Sequence, residues 1–286
     1  MAFLKYKVLD FLAKINIFSL DYDVLILNYH SIVPDGCANS PWEVELSEFK
    51  SQIKFIHESG FSAIKFGEIS ERYDQRATAK SSLPDICITF DDGFEDNYIL
   101  GLPVLEYYSL TATFAVLGCL ISENDLTSVS SDFREIIKSG KKFMDYNMLD
   151  DLRKRGFEIV SHTMTHPNFK SIKNINLTTE IVDSSIAIEK TFGSGKGIFI
   201  LAYGIEEFPK IKIRLKRFLD RADFRVAALG RYGYVRFDKN LNLLDLPRIP
   251  IYASDSIQVF KNKLKGNYQL ISYVYWFVKK IKAFKV

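Results

Sequence analysis

The chain has 286 residues, 47% of them hydrophobic and 26% charged, with 8 Pro and 15 Gly. That length suits one large α/β domain or two small ones, and the composition excludes collagen-like, low-complexity and broadly disordered chains. A net charge of +3 implies no nucleic-acid partner by itself.

In chain order, residues 1–20 set Phe3, Leu4, Leu9, Phe11 and Leu12 beside lysines, the pattern of an amphipathic helix. Lys5, Lys7, Asp10 and Lys14 interrupt any secretory h-region. Apolar runs that read as strands follow at 24–28, 61–66, 86–90, 111–117, 157–161, 198–202, 224–229 and 246–252. Amphipathic stretches lie between several of them. Leu46, Phe49, Ile53 and Ile56 recur at helical spacing, as do Leu149 and Leu152, and Ile181, Ser185, Ile188 and Phe192. This β–α repetition predicts a mostly parallel sheet, open or closed into a barrel, in one domain over residues 1–286. Polar stretches at 70–85 and 121–142 break the rhythm, the second being either a rim over a site or a surface excursion. Gly193-Ser194-Gly195-Lys196-Gly197 precedes a strand and reads as a turn after a helix, not a phosphate loop. Cys37, Cys87 and Cys119 are too few and too odd in number for a disulfide framework, and the last two read as core thiols.

The C-terminal segment, about 256–286, is the third feature outside the rhythm. Leu270, Ile271, Tyr273, Val274, Tyr275, Trp276, Phe277 and Val278 form a dense apolar patch with lysines behind it. No acidic residue follows Asp255 while seven lysines do, and without those seven the chain carries 31 basic against 35 acidic residues. Such a helix either closes the edge of the sheet or lies on a membrane with its lysines on anionic lipid. No uninterrupted apolar run approaches the roughly 20 residues that span a bilayer. The expected location is cytoplasmic, peripheral on the inner face of the membrane, with an anionic membrane surface as an expected partner.

Only four histidines occur, and two fall in Ser161-His162-Thr163-Met164-Thr165-His166. On a helical turn an H-x-x-x-H spacing sets both imidazoles on one side, where they can share a metal; the bland reading is two polar residues at a strand mouth. Thr89-Phe90-Asp91-Asp92-Gly93 puts two adjacent carboxylates after another apolar run. They repel, and neither can be buried unpaired, so a nearby cation or a solvated turn must relieve them. Asn28-Tyr29-His30-Ser31 closes a third run with a histidine. In parallel α/β folds the carboxyl ends of strands share one face, where sites are built. His30, Asp91, Asp92, His162 and His166 would meet there.

These segments resemble the polysaccharide deacetylase family, the NodB-like carbohydrate esterases. Tyr29-His30-Ser31-Ile32, Thr89-Phe90-Asp91-Asp92-Gly93-Phe94 and Ser161-His162-Thr163-Met164-Thr165-His166-Pro167 carry the likeness. Ala202-Tyr203-Gly204, Asp223-Phe224-Arg225-Val226-Ala227 and Leu246-Pro247-Arg248-Ile249 echo it. The resemblance implies a distorted (β/α) barrel of about seven strands. It implies that Asp92, His162 and His166 hold one divalent metal ion, most often Zn²⁺. It makes Asp91 the general base and His30 the general acid, as in the branch with permuted motif order. His166 is the last histidine of the chain, which agrees with an acid near the N-terminus. The backbone N–H of Tyr203 would serve the oxyanion, and Arg248 would orient the base. Ala202 stands where this branch usually carries proline, which alters the 199–204 loop.

The implied activity is metal-dependent N-deacetylation of an acetylated amino sugar, with release of acetate. The basic, aromatic tail points to a lipid-linked N-acetylhexosamine or another glycan or lipopolysaccharide precursor as substrate. A deformylase or O-esterase of a lipid-linked sugar and a non-catalytic glycan-binding relative remain the alternatives.

Overall fold

The computed structural model describes residues 22–75, 83–122, 129–169, 175–205 and 208–266. The elements run β1 (Val24–Tyr29), β2 (Ser31–Val33), β3 (Glu43–Glu45), α1 (Leu46–Glu58), β4 (Ser62–Ala63), α2 (Glu68–Gln75) and β5 (Asp85–Phe90). A π-helical turn (Asn97–Gly101) enters α3 (Leu102–Tyr107), followed by β6 (Thr113–Val116), α4 (Cys119–Ser122), α5 (Ser131–Lys138), α6 (Tyr146–Lys154) and β7 (Glu158–Ser161). A second π-helical turn (Thr178–Asp183) enters α7 (Ser184–Phe192), then β8 (Ile198–Ile200), α8 (Pro209–Arg221), β9 (Val226–Ala228), β10 (Ile249–Pro250) and α9 (Ile257–Leu264).

One sheet takes the order β10-β1-β5-β6-β7-β8-β9, with β4 added beside β5, and every pairing is parallel. The two ends of the path approach each other. Leu246 N–H donates to Ala227 O at 2.8 Å and Arg248 N–H to Arg231 O at 2.8 Å, so the sheet curls into a half-barrel. The α/β class and the seven-strand barrel expectation hold. All eight predicted strands appear, mostly trimmed; 61–66 shrinks to β4 and 246–252 to β10. The short parallel pair β2–β3 was not foreseen.

Side chains alternate across each strand, and both faces are covered, which is why these strands read as continuous apolar runs. Leu25, Leu27, Tyr29, Ile86, Ile88 and Phe90 pack outward against helices such as α1. Val24, Ile26, Cys87, Ala115, Val160, Ile200, Val226 and Ala228 form a separate buried cluster inside the curl. Continuing the inward parity past this interior leads to Asn28 and Thr89 near the ends of β1 and β5, and to His30, Asp91 and His162 one residue past the ends of β1, β5 and β7. The period of two thus aims the chemistry-bearing residues into one mouth.

Gly193 ends α7 in the left-handed region at φ 63°, so the glycine-rich segment is the expected turn. Cys87 and Cys119 are buried free thiols and Cys37 is exposed. Within 121–142, Val129 and Phe133 are buried and Phe133 packs on Phe143 at 5.3 Å, so this part is a packed rim. α9 docks on α1 through Phe260 and Phe55, 6.4 Å between ring centres. Lys263 on α9 is buried and ion-paired with Asp255. Residues 1–20, and residues 267–286 of the C-terminal segment expected to be amphipathic from about 256 to 286, lie outside the described residues. No described helix is long and apolar enough to cross a membrane.

Candidate metal centre

The chain reverses abruptly after β5. Asp92 (φ 74°) and Gly93 (φ 76°) both occupy the left-handed region, which Asp and Gly tolerate better than most residues. The reversal separates the two carboxylates: Asp91 continues the strand parity and Asp92 turns across toward β7. After β7, Thr163 (φ 74°) and His166 (φ 57°) are also left-handed. The H-x-x-x-H segment is therefore a strained loop and not the helical turn expected from its spacing. The two histidines still converge because the loop is stapled. His166 N–H donates to Thr163 Oγ1 at 3.0 Å. The Glu180 carboxylate accepts from Met164 N–H (3.1 Å), Thr165 N–H (3.0 Å) and Thr165 Oγ1 (2.7 Å). Strained backbone gathered in this way marks functional loops.

His162 Nε2 and His166 Nε2 approach Asp92 Oδ1 at 3.4 and 3.1 Å, and one ligand atom from each residue falls within 4.8 Å of the others. All three residues are buried. The His162 Nδ1–H faces Ile200 O at 2.9 Å. That hydrogen bond leaves the Nε2 lone pair of a neutral imidazole pointing at a carboxylate, the arrangement a metal ligand needs. Asp92 Oδ1 is buried without a hydrogen bond. The His162 Nε2 lone pair and the His166 Nε2 atom converge on an unpartnered anionic oxygen, a donor set that fits a divalent cation. In the metal-free protein, burial lowers the His162 pKa but Asp91 and Asp92 outweigh it and raise it overall. Burial likewise raises the Asp92 carboxyl, yet His162 and His166 hold it well below its usual range.

Beside this triad, Arg248 forks onto Asp91, Nη1 donating to Oδ1 at 2.7 Å and Nη2 to Oδ2 at 2.8 Å. Nη1 also donates to Thr89 Oγ1 at 3.2 Å. The Asn28 amide, with its nitrogen toward the carboxylate, donates to Asp91 Oδ2 at 3.2 Å. Burial pushes the Asp91 pKa up, but Arg248, His162 and His30 together bring it below the ordinary value. Asp91 is thus ionised and fixed in orientation. His30 Nε2 lies 4.0 Å from Asp91 Oδ2, and Asn97 Nδ2 anchors the His30 carbonyl at 2.8 Å. Burial lowers the His30 pKa more than Asp92 and Asp91 raise it, so the resting imidazole is neutral at neutral pH.

The cavity over these groups has a volume of about 450 Å³. Sequence reasoning missed its aromatic wall: Trp42 lies 4.5 Å from His30 and 4.9 Å from Tyr252 between ring centres. It also missed the backbone contact that shapes the floor. A Cβ on Gly230 would fall 2.0 Å from Gly204 Cα, so two glycines are required where these loops touch. Tyr203 is left-handed at φ 50°, its ring centre 4.4 Å from that of His166. Expected residues His30, Asp91, Asp92, His162, His166, Tyr203 and Arg248 all line this one cavity. Glu180 and Trp42 had no sequence signal: Glu180 sits in the π-helical turn before α7 and Trp42 in the turn before β3, and only the fold brings them to the site.

A family model described as polysaccharide deacetylase matches residues 78–214. That segment belongs to the polysaccharide deacetylase family. The match holds Asp91, Asp92, His162, His166 and Tyr203, while His30 and Arg248 reach this polysaccharide deacetylase segment from β1 and the start of β10, the neighbouring strands. YxkH of Bacillus subtilis (strain 168), described as a polysaccharide deacetylase, is 27% identical over 167 residues, 58% of this chain and 52% of its own length. The poly-β-1,6-N-acetyl-D-glucosamine N-deacetylase of Escherichia coli K12 is 21% identical over 140 residues, 48% of this chain and 20% of its own. The chain thus spans about half of the first relative and a fifth of the second. In fold, it is similar to Streptococcus pyogenes deacetylase PplD in complex with acetate (TM-score 0.67, 19% identity, 86% of this chain and 99% of that one). It is also similar to IcaB from Ammonifex degensii (TM-score 0.64, 14% identity, 86% and 97%).

Proposed function

We propose that the protein is a metal-dependent hydrolase that removes the N-acetyl group from an acetylated amino sugar in a glycan or glycan precursor, releasing acetate. The observation that carries this reading is the side-by-side arrangement of two adjacent carboxylates with different partners, Asp92 with His162 and His166, and Asp91 with Arg248.

Asp92, His162 and His166 would hold the ion, with zinc as the expected metal. When bound, such an ion supplies Lewis-acid polarisation of the amide and lowers the pKa of water toward about 7. Asp91, kept ionised by Arg248, takes the proton of the attacking water. The Arg248 fork and the Asn28 amide fix the direction of its free lone pairs. His30, neutral at rest, is positioned 4.0 Å from Asp91 to gain a proton during turnover and pass it to the departing sugar nitrogen. The Tyr203 backbone would support the developing oxyanion, and the Trp42–Tyr252 wall excludes water on one side. A single catalytic domain over residues 1–286, a lipid-linked sugar and a peripheral membrane location complete the reading. The last two rest on the composition of residues 1–20 and 267–286.

The test is product identity. Purified protein is given N-acetylglucosamine oligomers, a polyprenyl-linked N-acetylhexosamine, the N-formyl counterpart and an O-acetyl sugar, with and without chelator. Acetate from an N-acetyl substrate, lost on chelation, is expected. Formate alone, or acetate only from the ester, would overturn the N-acetyl assignment.

A further inference from the structure

α8 carries six basic residues, and they divide by face. Lys212 and Lys216 pair with Asp245 at 2.9 and 3.9 Å. Lys210, Arg214, Arg217 and Arg221 are exposed and make no ion pair among the described residues. Their spacing of four, three and four residues places them within a stripe about 60° wide on the helix surface. Leu215 and Leu219 occupy the opposite, buried face. Ile213 lies beside the stripe and is 51% exposed. The stripe borders a surface depression of about 600 Å³, and α8 begins just after the cavity residues Tyr203 and Gly204. It therefore starts on the catalytic side of the half-barrel and runs away from it.

We propose that this outer face of α8 docks on an anionic lipid bilayer. Four cations with no ion pair among the described residues, set on one side along a helix and flanked by an exposed isoleucine, complement a negatively charged headgroup layer with an apolar boundary beneath it. Paired cations would gain little from such a surface, since their charge is already met. Docking here would hold the cavity mouth close to the membrane, whichever sugar it accepts.

The full chain is sedimented with vesicles of phosphatidylcholine alone, or with phosphatidylglycerol added, at low and moderate salt. Wild type should bind only the anionic vesicles, and less at moderate salt. Each cation near the surface contributes about fivefold, so Arg214→Gln with Arg217→Gln should weaken partitioning roughly 30-fold. Lys54→Gln with Lys138→Gln removes the same net charge from lysines already paired with Glu58 and Glu135, and should bind as wild type does. Absence of binding, equal binding by the α8 variant, or an equal loss in the control variant would overturn the proposal.

Discussion

Arg248→Met is the most revealing single change. It removes a guanidinium from a pair whose side chains are only 5% and 3% exposed, together with hydrogen bonds of 2.7 and 2.8 Å to Asp91. Water cannot replace them at such burial, so Asp91 becomes an uncompensated interior charge. Breaking a buried pair from one side costs about 3–5 kcal/mol. For a domain of this size that is a fall in Tm of about 10 °C. Adding Asp91→Asn removes the stranded charge and should restore most of the loss, although turnover stays lost. The assay is thermal unfolding of the metal-free wild type, both single variants and the double variant. An Arg248→Met protein as stable as wild type, or a double variant no more stable than that single variant, would refute the reasoning.

Three further changes probe other links. Gly230→Ala should destabilise the protein and abolish acetate release, because its Cβ meets Gly204 Cα at 2.0 Å; Gly36→Ala, also left-handed at φ 78° but with nothing within 4 Å, should cost only about 1 kcal/mol in denaturant titration. Lys263→Met strands buried Asp255 and should lower unfolding free energy by about 3–5 kcal/mol, whereas an unchanged midpoint would mean that the pair contributes nothing. Burial raises the Glu158 pKa above 4.5 despite hydrogen bonds from Thr113 and Gly67. The native state then binds this proton more tightly than the unfolded chain, so the penalty is absent below about 4.5 and grows as pH rises through the raised value. Stability of wild type relative to Glu158→Gln should fall over that interval, and a pH-independent difference in urea midpoints would contradict the assignment.

The sheet was readable because its strands are short, apolar and separated by helical periodicity. Its inward parity was also present in the chain: Ile26, Asn28 and His30, then Cys87, Thr89 and Asp91, change from apolar to polar at the same level of adjacent strands. What could not be read is set by loops. The spacing of His162 and His166 suggested a helix, yet Thr163 and His166 take left-handed backbone angles, and Glu180, 15 residues beyond Thr165, holds the loop. Trp42 reaches His30 only because β3 pairs with β2. The Gly204–Gly230 contact joins residues whose need for glycine appears only when the loops are brought together. Arg248 was matched to Asp91 only through the family resemblance; its own sequence neighbourhood names no partner, since β10 returns to β1 across the whole length of the domain.

Two neighbouring carboxylates carry different tasks, and bound metal in Asp91→Asn and Asp92→Asn separates them most directly. Both substitutions are nearly isosteric, and Asn tolerates the left-handed backbone of position 92. One metal ion per chain in wild type and Asp91→Asn, none in Asp92→Asn, and acetate release lost in both variants is the predicted result. Metal retained by Asp92→Asn, or lost from Asp91→Asn, would contradict it.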